Sequence, residues 1–521
     1  MLRKRKRQAY IYPNNLGSLL IIVFVLLAQL SCGQEQNQSN AISPEKYPEF
    51  IKEELNYFEF ADRKTIEELS KKWNKNSGNF IVAHFGDSHV QPDYFTGTVR
   101  KKMQEIKGNA GRGMIFPYSI AKTYSQSDYS SSFEGKWLTG NSIQIPPRLP
   151  VGVSGFAAHT IDKNAAFSIS FKSPLNSGEK ILKIFCDRLK NGYIITITSG
   201  DETKVVNLAN DESKTPYVEV SFKKLSDNIT FRLSKENSND EPFKLYGISI
   251  ENKSNGVIYH NLGVGGACFS ALNYQKYFEK EFPYLSADFV ICDWGGNDFM
   301  YKNRVEPELE EIMIQTIKKI RKINPEAIIL IASAQDINKK GKNVTAAKQY
   351  AALARKVALE NACLFYDWYV ISGGPRSMFK WSDLGIAGKD NVHLNAKGYK
   401  LKGELFMQAF LNTMKRIETN KLENNLILSN QSYYVPDTVE TKLDSETTEK
   451  KELIVQTKKR DKEIGKTTKT NKQKVKRYKV KKGDTLSGIA RKNGISLGKL
   501  KTLNRIKGSS IRVGQVLIIG N

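Results

Sequence analysis

From Asn79 onward the chain alternates short, nearly continuous apolar runs with longer stretches in which apolar residues recur every three or four positions. Apolar runs of this kind suit strands covered on both faces, and the longer recurrence suits helices packed against them. The strand candidates are NFIVAHFG (79–86), GVIYHNLGV (256–264), ADFVICDWGG (287–296), AIILIASAQ (327–335) and CLFYDWYV (363–370). The helix candidates are YFTGTVRKKMQEI (94–106), FSALNYQKYFEKEF (269–282), PELEEIMIQTIKKIRKI (307–323), AAKQYAALARKVALENA (346–362) and NAKGYKLKGELFMQAFLNTMKRIE (395–418).

Between 110 and 255 the period changes. SIQIPP, AFSISF, ILKIF, YIITIT, YVEVSF, NITFRL and LYGISIE alternate apolar and polar residues with turn residues between them, as half-buried strands do. An interruption this long exceeds a loop. The expected architecture is α/β: a doubly wound parallel sheet built from 79–109 and 256–418, carrying an inserted β-sandwich over 110–255. Sites in such sheets lie beyond the carboxyl ends of the strands.

The flanks differ in character. Residues 419–476 are rich in Lys, Thr, Glu, Asn and Ser with few aromatics, a composition that buries too little apolar surface to order itself, so a disordered linker is expected. Pattern returns in 477–521, where a strand (YKVKKG), a helix opening at Asp484 or Thr485, a second helix (LGKLKTLN) and a strand (QVLIIG) form a small βααβ module. At the other end Arg3, Lys4, Arg5, Lys6 and Arg7 precede an apolar run of about 15 residues, short for a membrane span, which reads as an export signal over 1–32. The run ends at Leu30-Ser31-Cys32-Gly33, which resembles a bacterial lipobox with Cys32 as the lipidated residue, although Gln29 stands where leucine is usual. An ordinary cleaved signal or an uncleaved anchor is the alternative. Residues 33–78 then supply a polar tether and a helical segment.

These flanks change how charge and cysteine are read. The 521 residues carry a formal net charge of +26, which by itself raises nucleic acid as a partner. Behind an export signal that partner is not expected, and the excess, concentrated in the N-terminal region and the C-terminal third, suits anionic wall polymers or lipid head groups, or simply a solvated basic surface. Cys292 and Cys363 sit in apolar runs as small hydrophobes, Cys186 and Cys268 have no partner evident in the pattern, and no disulfide framework is expected. No Cys/His cluster has ligand spacing, so neither metal nor cofactor is expected.

The chemistry gathers at strand ends. GDSH (86–89) presents Ser88 where a strand stops, but a serine needs a base. Of five histidines, His84 and His260 fall in strands, His159 in the inserted region, and His89 is adjacent in sequence to the serine it would serve. His393 differs, because Asp390 precedes it by three residues, a spacing that lets a carboxylate hold one ring nitrogen while the other faces a serine. Donors for an oxyanion are offered by Gly265 and Gly266 in NLGVGGACFS, and by Gly295, Gly296 and the Asn297 amide in CDWGGNDF. Taken singly, each is equally an ordinary glycine turn, a capping aspartate or a surface histidine.

The order G-D-S, N-x-G-x-G-G, G-x-N-D and D-x-x-H resembles the four blocks of the SGNH/GDSL hydrolase family over 79–95 and about 256–415. The resemblance implies Ser88 as nucleophile, His393 as base, Asp390 as its orienter, and Gly266 and Asn297 as oxyanion donors beside the Ser88 N–H. GDSH in place of GDSL, Asp93 shortly after it, and a β-sandwich resembling a carbohydrate-binding module between the first two blocks are similar to the peptidoglycan O-acetylesterases of this superfamily, and that likeness implies that the sandwich contributes to glycan positioning. GNAGRGMIFPY and GGPRSMFKWSDLGIAGKD share that likeness without a catalytic role assigned. The final module resembles LysM, which implies binding of N-acetylglucosamine-containing glycans through Gly483, Asp484, Thr485, Leu486, Ile506, Lys507 and Gly508.

The expectation is an exported serine esterase that removes O-acetyl groups from peptidoglycan, with peptidoglycan glycan chains as partner, an N-terminal lipid or signal anchor in the membrane, and a place in the bacterial cell envelope facing the periplasm. An esterase for another acyl ester, on a polysaccharide, lipid or thioester, shares the mechanism. A non-catalytic wall-binding protein is the alternative of another class.

Overall fold

The computed structural model describes residues 47–175, 178–187, 192–209, 214–235 and 241–418, and, toward the C-terminus, 476–481, 484–495, 497–504, 506, 511 and 515–520. The export signal with Cys32, most of the tether, the linker up to residue 475, and Gly483, Lys507 and Gly508 lie outside them. The remainder falls into two units, a large one ending at 418 and a small C-terminal one.

The large unit is organised by parallel strands in the order Asn109–Ile115, Val257–Gly263, Phe80–Gly86, Phe289–Asp293, Ile328–Ala332 and Leu364–Tyr366. Successive residues of each strand face opposite sides, and both sides are apolar. Phe85, Val290, Cys292 and Ile331 share one core with Met313 and Ile317 of the Leu309–Ile323 helix and Ala351 and Ala354 of Ala346–Glu360. Val82, Phe289, Ile291 and Leu330 join the other core, with Val99 and Met103 of Tyr94–Lys107 and Phe406 and Phe410 of Ala396–Glu418. This is the doubly wound α/β arrangement that the continuous apolar runs predict.

The inserted region departs from the expected separate sandwich. Strand Asn109–Ile115 pairs in parallel with Val257–Gly263 and antiparallel with Phe243–Asn252, and the ladder continues through Lys180–Cys186 to Tyr217–Phe222. The main sheet therefore runs unbroken across the expected boundary at 110 and turns antiparallel. A five-stranded sheet, ordered Tyr129–Glu134, Ala166–Phe171, Asn228–Lys235, Tyr193–Ser199 and Glu202–Asn207, makes the second layer. Ile169, Ile197 and Phe231 of that layer lie in the same core as Leu182, Ile184 and Ile248 of the main sheet. The insertion is thus a sandwich in part, with one face built from the hydrolase sheet itself.

Three local expectations are corrected. Segment 269–282 is not one helix but a 3-10 turn at Phe269–Tyr274, a short helix at Phe278–Glu281 and another 3-10 turn at Phe282–Leu285. The backbone N–H of Tyr277 is taken by the Val151 carbonyl of the inserted region, 3.1 Å away, and Pro283 has no N–H to give. SIQIPP forms turns after the strand Leu138–Asn141, leaving Ile143 and Ile145 exposed. CLFYDWYV holds a strand only at Leu364–Tyr366 before Asp367 caps the helix Trp368–Ile371 through the Val370 N–H. Cys186, Cys292 and Cys363 are buried and Cys268 is half-buried, and none of these four described cysteines is in a disulfide.

The C-terminal unit is the expected βααβ module. Strands Lys476–Lys479 and Val516–Gly520 pair antiparallel, helices Leu486–Lys492 and Leu497–Leu503 pack on each other, and Val480, Leu486, Ile489, Leu500 and Leu517 form its core.

Glu281 joins insertion and core. Its carboxyl is buried and accepts the Val153 N–H at 2.7 Å. Burial outweighs that bond and pushes its pKa up to about 8. The folded chain then holds a proton that the unfolded chain releases near the free-glutamate value of about 4.3, so this group's contribution to stability falls as pH rises from about 4 to 8. Glu281→Gln keeps an acceptor for Val153 and has no proton to lose; chemical denaturation across that pH range is expected to show a flatter stability profile than wild type, with the variant gaining most at the alkaline end.

Candidate active site

Gly86 pairs with Gly263 on one side and with Asp293 on the other, so three parallel strands end level. Ser88, Gly266 and Asn297 follow those ends by two, three and four residues. The turn after Gly86 is tight: a Cβ on Gly86 would lie 2.3 Å from Val90 Cγ2, and one on Gly263 would lie 2.4 Å from the Gln91 nitrogen. Asp87 closes the turn by accepting the His89 N–H at 2.8 Å on its side chain and the Val90 and Gln91 N–H groups on its carbonyl.

Asp93 locks this turn from below. Its buried carboxylate receives Arg100, Arg112, Thr96 and the Asn261 amide, and Asn261 also donates to the Val90 carbonyl at 2.8 Å. Burial opposes ionisation, but the two guanidinium charges hold the carboxyl well below the usual range. Asp93, flagged in the sequence only as part of a family likeness, is therefore a positioning residue tying the serine turn to the neighbouring strand and to the insertion.

His393 arrives from the loop before the last helix. That loop is held by a Gln335 side-chain bond to the Val392 carbonyl at 2.8 Å and an Asn338 N–H bond to the Asn391 carbonyl at 3.0 Å. His393 Nε2 lies 2.8 Å from Ser88 Oγ, and His393 Nδ1 lies 2.6 Å from Asp390 Oδ2. The other Asp390 oxygen accepts the backbone N–H groups of Val392 and His393, each at 3.0 Å. Burial works against the carboxylate, yet these bonds outweigh it and bring its pKa down to about 2. Asp390 is thus ionised at neutral pH, and the Nδ1–H tautomer it favours leaves Nε2 as the acceptor that faces the serine.

Among the described residues, the backbone N–H groups of Ser88 and Gly266 meet no acceptor. Gly266 has φ +88°, a conformation that favours glycine, and this turn leaves its N–H unspent. Asn297 reaches the same strand end, but its amide is engaged, donating to Asp87 Oδ2 at 3.2 Å and to the Ala267 carbonyl at 3.0 Å. Burial pushes the Asp87 carboxyl up to about 7, against the His89 N–H that favours its charge.

His89 is not the base. Its Nδ1 bonds the buried hydroxyl of Tyr399 at 2.8 Å, and its ring lies against that of His393 with centroids 4.9 Å apart. Burial, then the neighbouring His393, drives its pKa well down, so a neutral ring packs on the His393 imidazole. Also beyond the reach of sequence reasoning was Lys402, buried on the last helix 3.1 Å from Asp293 Oδ2. Breaking a buried pair of this kind costs about 3–5 kcal/mol, so it anchors that helix to the catalytic strand end.

In the small unit, Asp484 accepts the Tyr478 hydroxyl at 3.0 Å and the Lys481 N–H at 2.7 Å, and Thr485 caps the following helix through the Gly488 N–H at 3.1 Å. Leu486 is buried in the module core and Ile506 packs against it.

Residues 234–401 match the GDSL-like Lipase/Acylhydrolase family, and residues 478–520 match the LysM domain. A solved peptidoglycan O-acetylesterase superposes with a TM-score of 0.55 at 23% identity, covering 67% of this chain and 96% of its own. The lipase/acylhydrolase from Enterococcus faecalis aligns over 30% of this chain and 77% of its own, at 19% identity and a TM-score of 0.24. An autolysin of Enterococcus faecalis (strain ATCC 700802 / V583) is 43% identical over 56 residues, which is 11% of this chain and 8% of the autolysin. The chain thus carries a hydrolase domain of the GDSL-like lipase/acylhydrolase family, of SGNH type, and a C-terminal LysM domain.

Proposed function

We propose that this chain is a serine esterase that removes O-acetyl groups from peptidoglycan. The observation that carries the reading is the unbroken relay from Asp390 through His393 to Ser88, at 2.6 and 2.8 Å, beside two backbone N–H groups with no acceptor of their own. Ser88 Oγ attacks the acetyl carbonyl while His393 Nε2 takes its proton, and Asp390 stabilises the imidazolium. The carbonyl oxygen, now an oxyanion, accepts from Ser88 N–H and Gly266 N–H, and the Asn297 amide completes the set when it exchanges Asp87 for the oxyanion. His393 returns the proton to the departing sugar hydroxyl. It then activates water to free acetate and regenerate Ser88.

The wall as substrate is supported by the LysM domain and by a fold likeness to a peptidoglycan O-acetylesterase that covers 67% of this chain. In this reading LysM, through Gly483, Asp484, Thr485, Leu486, Ile506, Lys507 and Gly508, holds the enzyme on its polymer and raises the local ester concentration. A lipid on Cys32, or the export signal itself, keeps the chain at the membrane facing the periplasm.

Acetate release is the direct measure. Wild-type protein is expected to free acetate from O-acetylated peptidoglycan and little from acetylated xylan, with de-O-acetylated wall as the blank; no acetate from the acetylated wall contradicts the substrate assignment, and preference for xylan moves it to another acetylated polysaccharide. Asp390→Asn places its amide toward His393, because the remaining oxygen must still accept Val392 and His393 N–H. The imidazole then carries its proton on the nitrogen that should accept from Ser88. Steady-state hydrolysis of p-nitrophenyl acetate is expected to fall about 10²-fold in kcat, the lower end for general base catalysis, because half-exposed Asp390 leaves water able to replace part of its role.

A further inference from the structure

The two glycines beside the oxyanion site are flanked by side chains from the inserted region. Gly265 has no positive φ, so its backbone does not call for glycine; a Cβ there would lie 2.4 Å from the Tyr124 hydroxyl. The Tyr124 hydroxyl occupies the space that a side chain at this position would take. Gln91, three residues beyond the nucleophile, fixes the arrangement by accepting the Gly265 N–H at 2.6 Å and donating to the Tyr124 carbonyl at 2.7 Å. On the neighbouring glycine, a Cβ at Gly266 would meet Ile143 Cδ1 at 3.7 Å. The Ile143 loop can approach because Gly155, at φ +79°, brings it onto Val264: a Cβ on Gly155 would lie 2.4 Å from Val264 Cγ2, and Ser142 N–H bonds the Gly155 carbonyl.

Although anchored, this wall is open. Tyr124 is 46% exposed and Ile143 42%, whereas Tyr399, bonded to His89 beside the site, is buried. The Gly266 N–H sets where the ester oxygen sits, so a group extending past that glycine belongs either to the acyl chain or to the alcohol. An acetyl group ends in one methyl, which needs no exposed phenol beside an isoleucine. A pyranose ring suits such groups, because it offers its C–H face to apolar side chains and its hydroxyls to a phenol.

We propose that Tyr124 and Ile143 form a binding subsite for the sugar ring that carries the ester, supplied by the inserted region directly at the oxyanion glycines. The inference rests on the esterase reading above and adds the residues that recognise the alcohol side of the bond.

The test measures competitive inhibition of p-nitrophenyl acetate hydrolysis by chitotriose, the trimer of N-acetylglucosamine, in the full-length protein. Wild type is expected to be inhibited, Tyr124→Ala to raise the inhibition constant about tenfold, Ile143→Ala to raise it several-fold, and Tyr124→Phe, which keeps the ring, to stay within about threefold of wild type. An inhibition constant unchanged in both alanine variants, or no inhibition of wild type, overturns the subsite. So does a rise in p-nitrophenyl hexanoate relative to acetate hydrolysis in Tyr124→Ala with inhibition unchanged, because that assigns the wall to the acyl chain. Ile143→Ala keeps the question answerable should Tyr124→Ala misfold. Failure to release acetate from peptidoglycan by a protein that still hydrolyses p-nitrophenyl acetate and is inhibited by chitotriose strikes the wall assignment and leaves the sugar subsite standing.

Discussion

Gly86 is bonded into two parallel ladders at once, opposite Gly263 and opposite Asp293, and this register is the constraint on which the site depends. Because both faces of these strands are buried, a slip of one residue would reverse every core side chain, which makes the register costly to change. Level strand ends then put the serine turn, the Gly266 turn and Asn297 at the same height with no further adjustment. His393 reaches this edge separately, on a loop held to the segment after Ile328–Ala332 and followed by a helix that Lys402 ties to Asp293. The proposed catalytic groups are thus held by backbone pairing and buried charge, which lets a half-exposed Ser88–His393–Asp390 relay stay ordered.

The insertion belongs to the same design. A domain attached by two linkers can move relative to the sheet it interrupts, whereas this one extends the sheet's own ladder, shares its apolar core, and is stitched to it by Arg112 on Asp93 and by Glu281 on Val153. Tyr124 and Ile143 can therefore serve as fixed walls beside the oxyanion glycines. Buried polar groups of this kind are weak contributors to net stability but strong ones to geometry, since each is expensive to leave unpaired.

Much of this was legible in the residues. The five apolar runs became parallel strands because helices cover both faces, and Ser88, Asp390 and His393 were readable because their motifs stand at strand ends in a recognisable order. The strand Asn109–Ile115 was not, since its glycines hide it: a Cβ on Gly111 would lie 2.7 Å from Glu251 Cα and one on Gly113 2.4 Å from the Tyr259 carbonyl, so close approach of neighbouring chain replaced the usual β-branched signal. Missing that strand put a domain boundary where the sheet is continuous. Segment 269–282 has a helical period, but its backbone is partly spent on the insertion, a long-range bond that no local pattern reveals. Asn297 shows the same limit, because a motif names the residue while its present partners, Asp87 and Ala267, depend on the fold.

In the proposed mechanism Ser88 is an activated nucleophile because His393 and the strand-end N–H groups surround it. A serine-directed fluorophosphonate forms a stable adduct only where a hydroxyl is activated and the resulting oxyanion is held. Mass spectrometry of the labelled, digested protein is predicted to find one adduct, on Ser88, formed rapidly in wild type and suppressed in His393→Ala. An adduct on another residue, or equal labelling of Ser88 in the two proteins, would contradict the account.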